Sequence, residues 1–208
     1  MSLRRIAFGL ALLSASSAWI GVARSHDPAP RTSAAPALAA APSQPGVPSI
    51  PGFGGPFRLT DHTGRLRTDA DFRGRLMLVV FGFTNCPDVC PVELMGIAEA
   101  LDSLGPLAAE VAPLFITVDP THDTPERMAE FVGQFHPGIV GLTGDATEVA
   151  DVIRRYRVHV MLAASSEPTQ TSHSSFMYLM GRDGGFIGLI APGAEPREIA
   201  ARIAKYAR

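Results

Sequence analysis

Cys86 and Cys90 are the only cysteines in 208 residues, and they stand four apart in Phe81-Gly-Phe-Thr-Asn-Cys-Pro-Asp-Val-Cys-Pro91. A pair at this spacing can close a structural disulfide, cycle as a redox dithiol, or place two thiolates on one soft metal ion. In the last case the coordination is incomplete and a third donor must come from elsewhere in the chain. On residue chemistry alone, His122 and His173 are both credible third ligands. His62 reads as a solvated turn histidine, His136 as a cation favourably placed near a helix C-terminus, and His159 as a sheet-face residue.

The elements around the cysteines bear on this chemistry. Leu76-Met-Leu-Val-Val-Phe81 is an unbroken apolar run, short enough for a strand buried on both faces. From Val92 to Leu104 the apolar residues Leu94, Ile97, Ala98, Leu101 and Leu104 follow helical spacing. The cysteines therefore sit where a buried strand hands over to a helix, and Pro87 and Pro91 suit a first helical turn. A helix N-terminus stabilises a thiolate, which predicts sulfurs more acidic than a free thiol.

The remaining pattern is an α/β alternation. Phe57–Thr60 and Arg65–Arg67 read as a hairpin around Asp61-His-Thr-Gly64. Pro113–Val118 is a second buried strand, followed by a helix capped by Thr124 and running to about Phe135. Ile139–Leu142 is a third strand, and Asp145 caps a helix through about Tyr156. Val158–Leu162 reads as a strand and Ala163–Ser172 as a polar loop. Ser175–Met180 and Phe186–Ile190 form a hairpin across Arg182-Asp-Gly-Gly185, and an amphipathic helix over Pro196–Tyr206 closes the chain. In open α/β sheets function gathers at the carboxyl ends of the parallel strands, which puts Asp119, His122 and Asp123 at the same end as the cysteines.

Composition and charge divide the chain. With 46% hydrophobic and 18% charged residues it can bury a sizeable core. Residues 1–56 carry four arginines against Asp27, while residues 57–208 carry 14 basic and 19 acidic side chains. A domain of net charge −5 with no basic patch argues against nucleic-acid binding. Residues 1–23 form a membrane anchor or signal segment: Arg4-Arg5 precede an uncharged apolar run of about 18 residues, Ile6–Ala23, closed by Arg24. Its flanking arginines hold the N-terminus in the cytoplasm and send the remainder out. An uncleaved single anchor in a bacterial inner membrane, with the domain in the periplasm, is the expectation; cleavage to a soluble periplasmic form is the alternative. Residues 24–56 are a Pro/Ala-rich linker, able to reach roughly 100 Å when extended. Residues 57–208 are the globular domain.

Several motifs in order resemble the Sco/SenC family: Phe81–Pro91 as quoted, Val118-Asp-Pro-Thr-His-Asp-Thr-Pro125, Gly141-Leu-Thr-Gly144, and His173-Ser174 before Met177-Tyr-Leu179. The resemblance covers roughly Phe57 to Arg208. It implies a thioredoxin-like α/β sandwich, with a central mixed sheet flanked by helices and an N-terminal hairpin. It also implies a copper ion, Cu(I) or Cu(II), one per domain, held by Cys86, Cys90 and His173, together with thiol redox chemistry of the same cysteines. Asp88, Asp119 and Asp123 match the family's acidic positions and are candidates for supporting the ligands, or for capping and turn formation. The implied partners are the copper-site subunit of cytochrome c oxidase and a copper donor protein. One departure stands out. The family commonly has Asp immediately before the ligand histidine, where this chain has Ser172, a neutral hydroxyl that cannot act as a carboxylate toward an imidazole.

The leading expectation is therefore a copper-binding assembly factor for cytochrome c oxidase. A thiol–disulfide oxidoreductase acting on periplasmic protein cysteines is the alternative, weakened because C-x-x-x-C departs from the common C-x-x-C redox motif. A peroxiredoxin pattern would need proline at position 79 and threonine at 83, where Val79 and Phe83 stand.

Overall fold

A computed structural model describes residues 50, 52–161, 172–173 and 176–207. The anchor expected over residues 1–23 and most of the linker expected over 24–56 lie outside these residues; the end of that stretch belongs to the domain, with Phe53 packed against Tyr156, Tyr178 and Phe186. The fold is a mixed sheet with helices on both faces, as a thioredoxin-like sandwich requires. Its strands are β1 (Arg58–Asp61), β2 (Leu66–Thr68), β3 (Leu76–Gly82), β4 (Val111–Thr117), β5 (Val140–Thr143), β8 (Met177–Met180) and β9 (Phe186–Ile190), in the order β2-β1-β5-β4-β3-β8-β9. The central β5, β4 and β3 are parallel, and the flanking pairs are antiparallel. Between β5 and β8 in the chain, β6 (Val160–Met161) and β7 (Ser172–His173) form a separate two-stranded ribbon.

Alternation along β3 builds two cores. Leu76, Leu78 and Val80 face one side, where they meet Leu94, Ile97 and Leu101 of α1 (Val89–Leu104), Met128 and Phe131 of α2 (Pro125–Val132), and Ile199 and Ile203 of α4 (Pro196–Ala207). Met77, Val79 and Phe81 face the other side, with Val149 and Val152 of α3 (Ala146–Arg155) and the buried Tyr156. A strand covered on both faces has no polar side, which is why its sequence is a continuous apolar run.

The expected caps are present. The Thr124 hydroxyl accepts the Arg127 backbone N–H at 3.4 Å, and the Asp145 carboxylate accepts those of Thr147 and Glu148, both at 2.8 Å. Three boundaries differ from expectation. Helix α1 begins at Val89 rather than Val92, so Cys90 lies inside its first turn. Helix α2 stops at Val132, because Gln134 and Phe135 bond back to Phe131 and Val132 in a tightened three-residue pattern. His136 is therefore not a helix-terminal residue. Its Nδ1 accepts the Gly138 N–H at 2.9 Å. Finally, the segment expected as polar loop up to residue 172 ends in a strand, since Ser172 pairs with Met161 and His173 with Val160.

Candidate metal centre

β3 ends at Gly82, and the chain turns at once toward α1. The turn is closed by the Cys86 N–H, which donates to the Phe83 carbonyl at 3.2 Å. One helical turn on, the backbone N–H of Cys90 donates to the Cys86 sulfur at 3.4 Å. The first N–H groups of a helix have no intrahelical acceptor, and here one of them takes the Cys86 Sγ as its partner. The two sulfurs are not joined in a disulfide; Cys86 is half-buried and Cys90 is buried. Gly82 makes room for this arrangement. A Cβ at that position would lie 2.9 Å from the Cys90 sulfur and 2.5 Å from the Phe115 ring, so any side chain there would displace one or both.

The expectation that both sulfurs are acidified by the helix start fails at Cys90. Burial pushes that thiol far up, and the hydrogen bond with Cys86 and the nearby charges of Cys86 and Glu93 push it the same way. The helix N-terminus does not outweigh desolvation for a sulfur in the core.

Asp123 organises the loops around the pair. It is 1% exposed, and its carboxylate accepts the Thr84 N–H at 3.1 Å, the Thr84 hydroxyl at 2.6 Å and the Thr117 hydroxyl at 2.5 Å. Its carbonyl takes the Thr143 hydroxyl at 2.6 Å. One residue thus ties together the ends of β3, β4 and β5. A second brace comes from Arg127 in α2, whose guanidinium donates to the Asn85 side chain at 2.8 Å, next to Cys86. Asp119 instead holds His122, with its carboxylate 2.8 Å from the imidazole Nδ1 on the protein surface. Asp88 occupies the N-cap position of α1, is exposed, and makes no side-chain cap. His62, expected to be solvated, is half-buried, and its Nδ1 accepts the Gly141 N–H at 3.1 Å. His159 is exposed.

His173 enters through its backbone. β8 runs antiparallel to β3 with Tyr178 opposite Val79, so the start of β8 lies toward the end of β3 from which the cysteine turn departs. His173 lies in β7, paired with Val160, and its side chain is outside the described residues. Among the described residues no three His, Cys, Asp or Glu side chains converge as a metal site. Two sulfurs in one turn are a soft pair that fits a monovalent copper ion, with one further donor needed to complete it.

Sequence reasoning missed three residues. Thr84 and Thr117 carry no signal of their own, because their role appears only when Asp123 folds between them. Glu93 does carry one: it is a carboxylate on the buried face of α1 beside Cys90, Leu94 and Ile97.

The SCO1/SenC family model matches residues 48–208. The mitochondrial SCO1 homologue of Homo sapiens is 43% identical over 159 residues, covering 74% of this chain and 53% of that protein. Protein sco1 of Schizosaccharomyces pombe is 40% identical over 158 residues, covering 74% and 60%. The chain therefore spans between about half and three fifths of these relatives' lengths. Among solved structures, Bradyrhizobium japonicum ScoI with copper bound superposes with a TM-score of 0.68 at 41% identity, covering 74% of this chain and 99% of that one. Yeast Sco1 with copper bound gives 0.68 at 34% identity, covering 76% and 88%. With the match running through the strand–turn–helix that carries both cysteines, the chain belongs to the SCO1/SenC family.

Proposed function

We propose that this protein is a copper-binding assembly factor that delivers copper to, or maintains the thiols of, the copper site of cytochrome c oxidase. The observation that carries the reading is the sulfur pair at the start of α1, with Cys90 N–H on Cys86 Sγ at 3.4 Å and space kept by Gly82. Two relatives of the same fold, Bradyrhizobium japonicum ScoI and yeast Sco1, have been solved with copper bound. In this reading Cys86 and Cys90 bind one copper ion as thiolates and His173 supplies the third donor. The family resemblance, in which His173 and not His122 falls at the copper histidine, supports His173 as that donor. Asp119 and Asp88 then have no direct part in coordination, and Asp123 acts by holding Thr84 and the turn.

Copper is cargo here, taken up at the half-exposed Cys86 and passed on by exchange of thiolate ligands with the acceptor. The Cys90 proton leaves as the metal arrives. A second reading rests on the asymmetry of the pair: an accessible sulfur next to a buried one is also suited to thiol–disulfide exchange, with Cys86 attacking and Cys90 resolving. The reading extends to the remainder of the chain, with residues 1–23 anchoring the protein in the bacterial inner membrane, residues 24–56 as a spacer and the domain in the periplasm. Among the described residues no helix is long and apolar enough to cross a membrane.

The two activities separate in cells producing Cys86→Ser/Cys90→Ser. Copper delivery predicts loss of assembled oxidase, restored by added copper salts. Restoration by a small thiol reductant without added copper would favour the exchange reading.

A further inference from the structure

Asp119 and His122 face each other across a turn beyond β4, which the His122 N–H closes by donating to the Asp119 carbonyl at 3.2 Å. Both carboxylate oxygens of Asp119 lie within reach of the imidazole Nδ1, at 3.0 and 2.8 Å. An ionised carboxylate only accepts, so Nδ1 carries the hydrogen and the neutral ring keeps its lone pair on Nε2. His62 and His136 use Nδ1 the other way, to accept a backbone N–H. The His122 side chain is 52% exposed, and its Nε2 has no hydrogen-bond partner among the described residues. An imidazole held by a carboxylate at Nδ1 and open at Nε2 is set up as a metal ligand.

The place of this pair in the fold gives it a destination. β4 and β3 are parallel neighbours with Thr117 opposite Gly82, and the Val118 N–H donates to the Gly82 carbonyl at 2.8 Å. The loops that carry His122 and Cys86 therefore leave the sheet side by side. They are pinned together where Asp123, next to His122, holds Thr84, two residues before Cys86. Asp119 also lines a cleft of about 350 Å³ shared with Val160, the strand partner of His173. We infer that His122 is an entry ligand for copper, whose Nε2 takes the ion from a donor and passes it to the Cys86 sulfur. This rests on the copper function proposed above and adds the route in. As the copper–sulfur bond forms the copper–nitrogen bond breaks, the thiol proton goes to water, and the ion keeps its charge. Among the described residues no three His, Cys, Asp or Glu side chains converge, so His122 holds copper loosely. Two sulfurs and His173 hold it by three bonds against one, and transfer runs inward. Asp119 is a positioning residue that fixes the tautomer and the direction of Nε2.

The test mixes the reduced, copper-free full chain in detergent with Cu(II) bis-glycinate, anaerobically, and follows the thiolate-to-Cu(II) absorption band by stopped flow. His122→Ala should slow growth of the band at least tenfold and leave its final height unchanged. His122→Asn keeps an N–H donor for Asp119 but has no ring nitrogen, and should be equally slow. Asp119→Ala frees the ring and should slow loading at least threefold. A native rate in His122→Ala, or a slow Ala variant beside a fast Asn variant, would overturn the inference. A second measurement is independent of the dithiol. With both cysteines alkylated in a His173→Ala background, substoichiometric Cu(II) should broaden the amide NMR signals of Thr121 and His122 before others, and adding His122→Ala should abolish this. Absence of that broadening would overturn the entry site and leave copper binding by Cys86 and Cys90 untouched. Broadening with no band in the unblocked protein would overturn the transfer step together with the function proposed above.

Discussion

Asp123 accepts both the backbone N–H and the hydroxyl of Thr84, across 39 residues of sequence, and so fastens the β4–α2 loop to the turn that carries Cys86. The same carboxylate takes the Thr117 hydroxyl. Its removal leaves several buried donors without an acceptor. Asp123→Ala should therefore cost about 2–4 kcal/mol of stability in urea denaturation. Thr84→Val removes the hydroxyl bond but spares the N–H bond, and should cost about 1 kcal/mol. Because the turn is loosened, copper affinity should fall in both variants, and further in Asp123→Ala. Unchanged stability in Asp123→Ala would show that the loops hold together without it.

The β1–β2 turn has a comparable device that reads out through pH. Asp61 is 2% exposed, and burial alone would raise its pKa. Hydrogen bonds from Thr63, from the Arg65 N–H and from the Arg67 guanidinium outweigh burial and hold it at about 2, below the ordinary 3.8. A depressed folded pKa means the stabilisation is fully present above about pH 4 and is lost as pH falls toward 2. The difference corresponds to about 2 kcal/mol. Denaturant midpoints between pH 5 and pH 2 should fall in the native protein, and Asp61→Asn should flatten part of that slope. A slope identical in the two proteins would contradict the assignment.

Much of this arrangement was legible before any coordinates. The apolar run Leu76–Phe81 requires a strand covered on both faces, and the helical spacing after it puts the cysteines at a strand-to-helix turn. The apolar spacing shows the helix only from Val92, whereas Val89, Cys90 and Pro91 already have helical backbone. Strand β6 falls within the strand expected over Val158–Leu162, but its partner β7 left no trace, since Ser172-His173 has neither alternation nor β-branched residues. Asp123 was read as a turn or acidic family position. Its grip on Thr84 and Thr117 depends on contacts brought together only by the fold. Local propensity shows where the sulfurs are; it does not show what keeps the turn in place.

The third ligand is decided by comparing histidines. An imidazole is a harder donor than a thiolate and is more important for Cu(II) than for Cu(I). His173→Ala should abolish the thiolate-to-Cu(II) absorption band while Cu(I) uptake through the cysteines persists. His122→Ala should leave the band nearly unchanged, since in this account His173 and not His122 is the third donor. Ser172→Asp should strengthen Cu(II) binding by giving the imidazole a carboxylate neighbour. A band that survives His173→Ala and vanishes in His122→Ala would move the third donor to the β4–α2 loop.

The most direct test of the central claim is an anaerobic Cu(I) titration of the reduced protein, before and after alkylation of Cys86 and Cys90, against a chromogenic competitor. The account predicts one equivalent of copper held by the free dithiol and none held tightly after alkylation. Copper bound equally well with both sulfurs blocked, or not bound at all by the reduced protein, would contradict it.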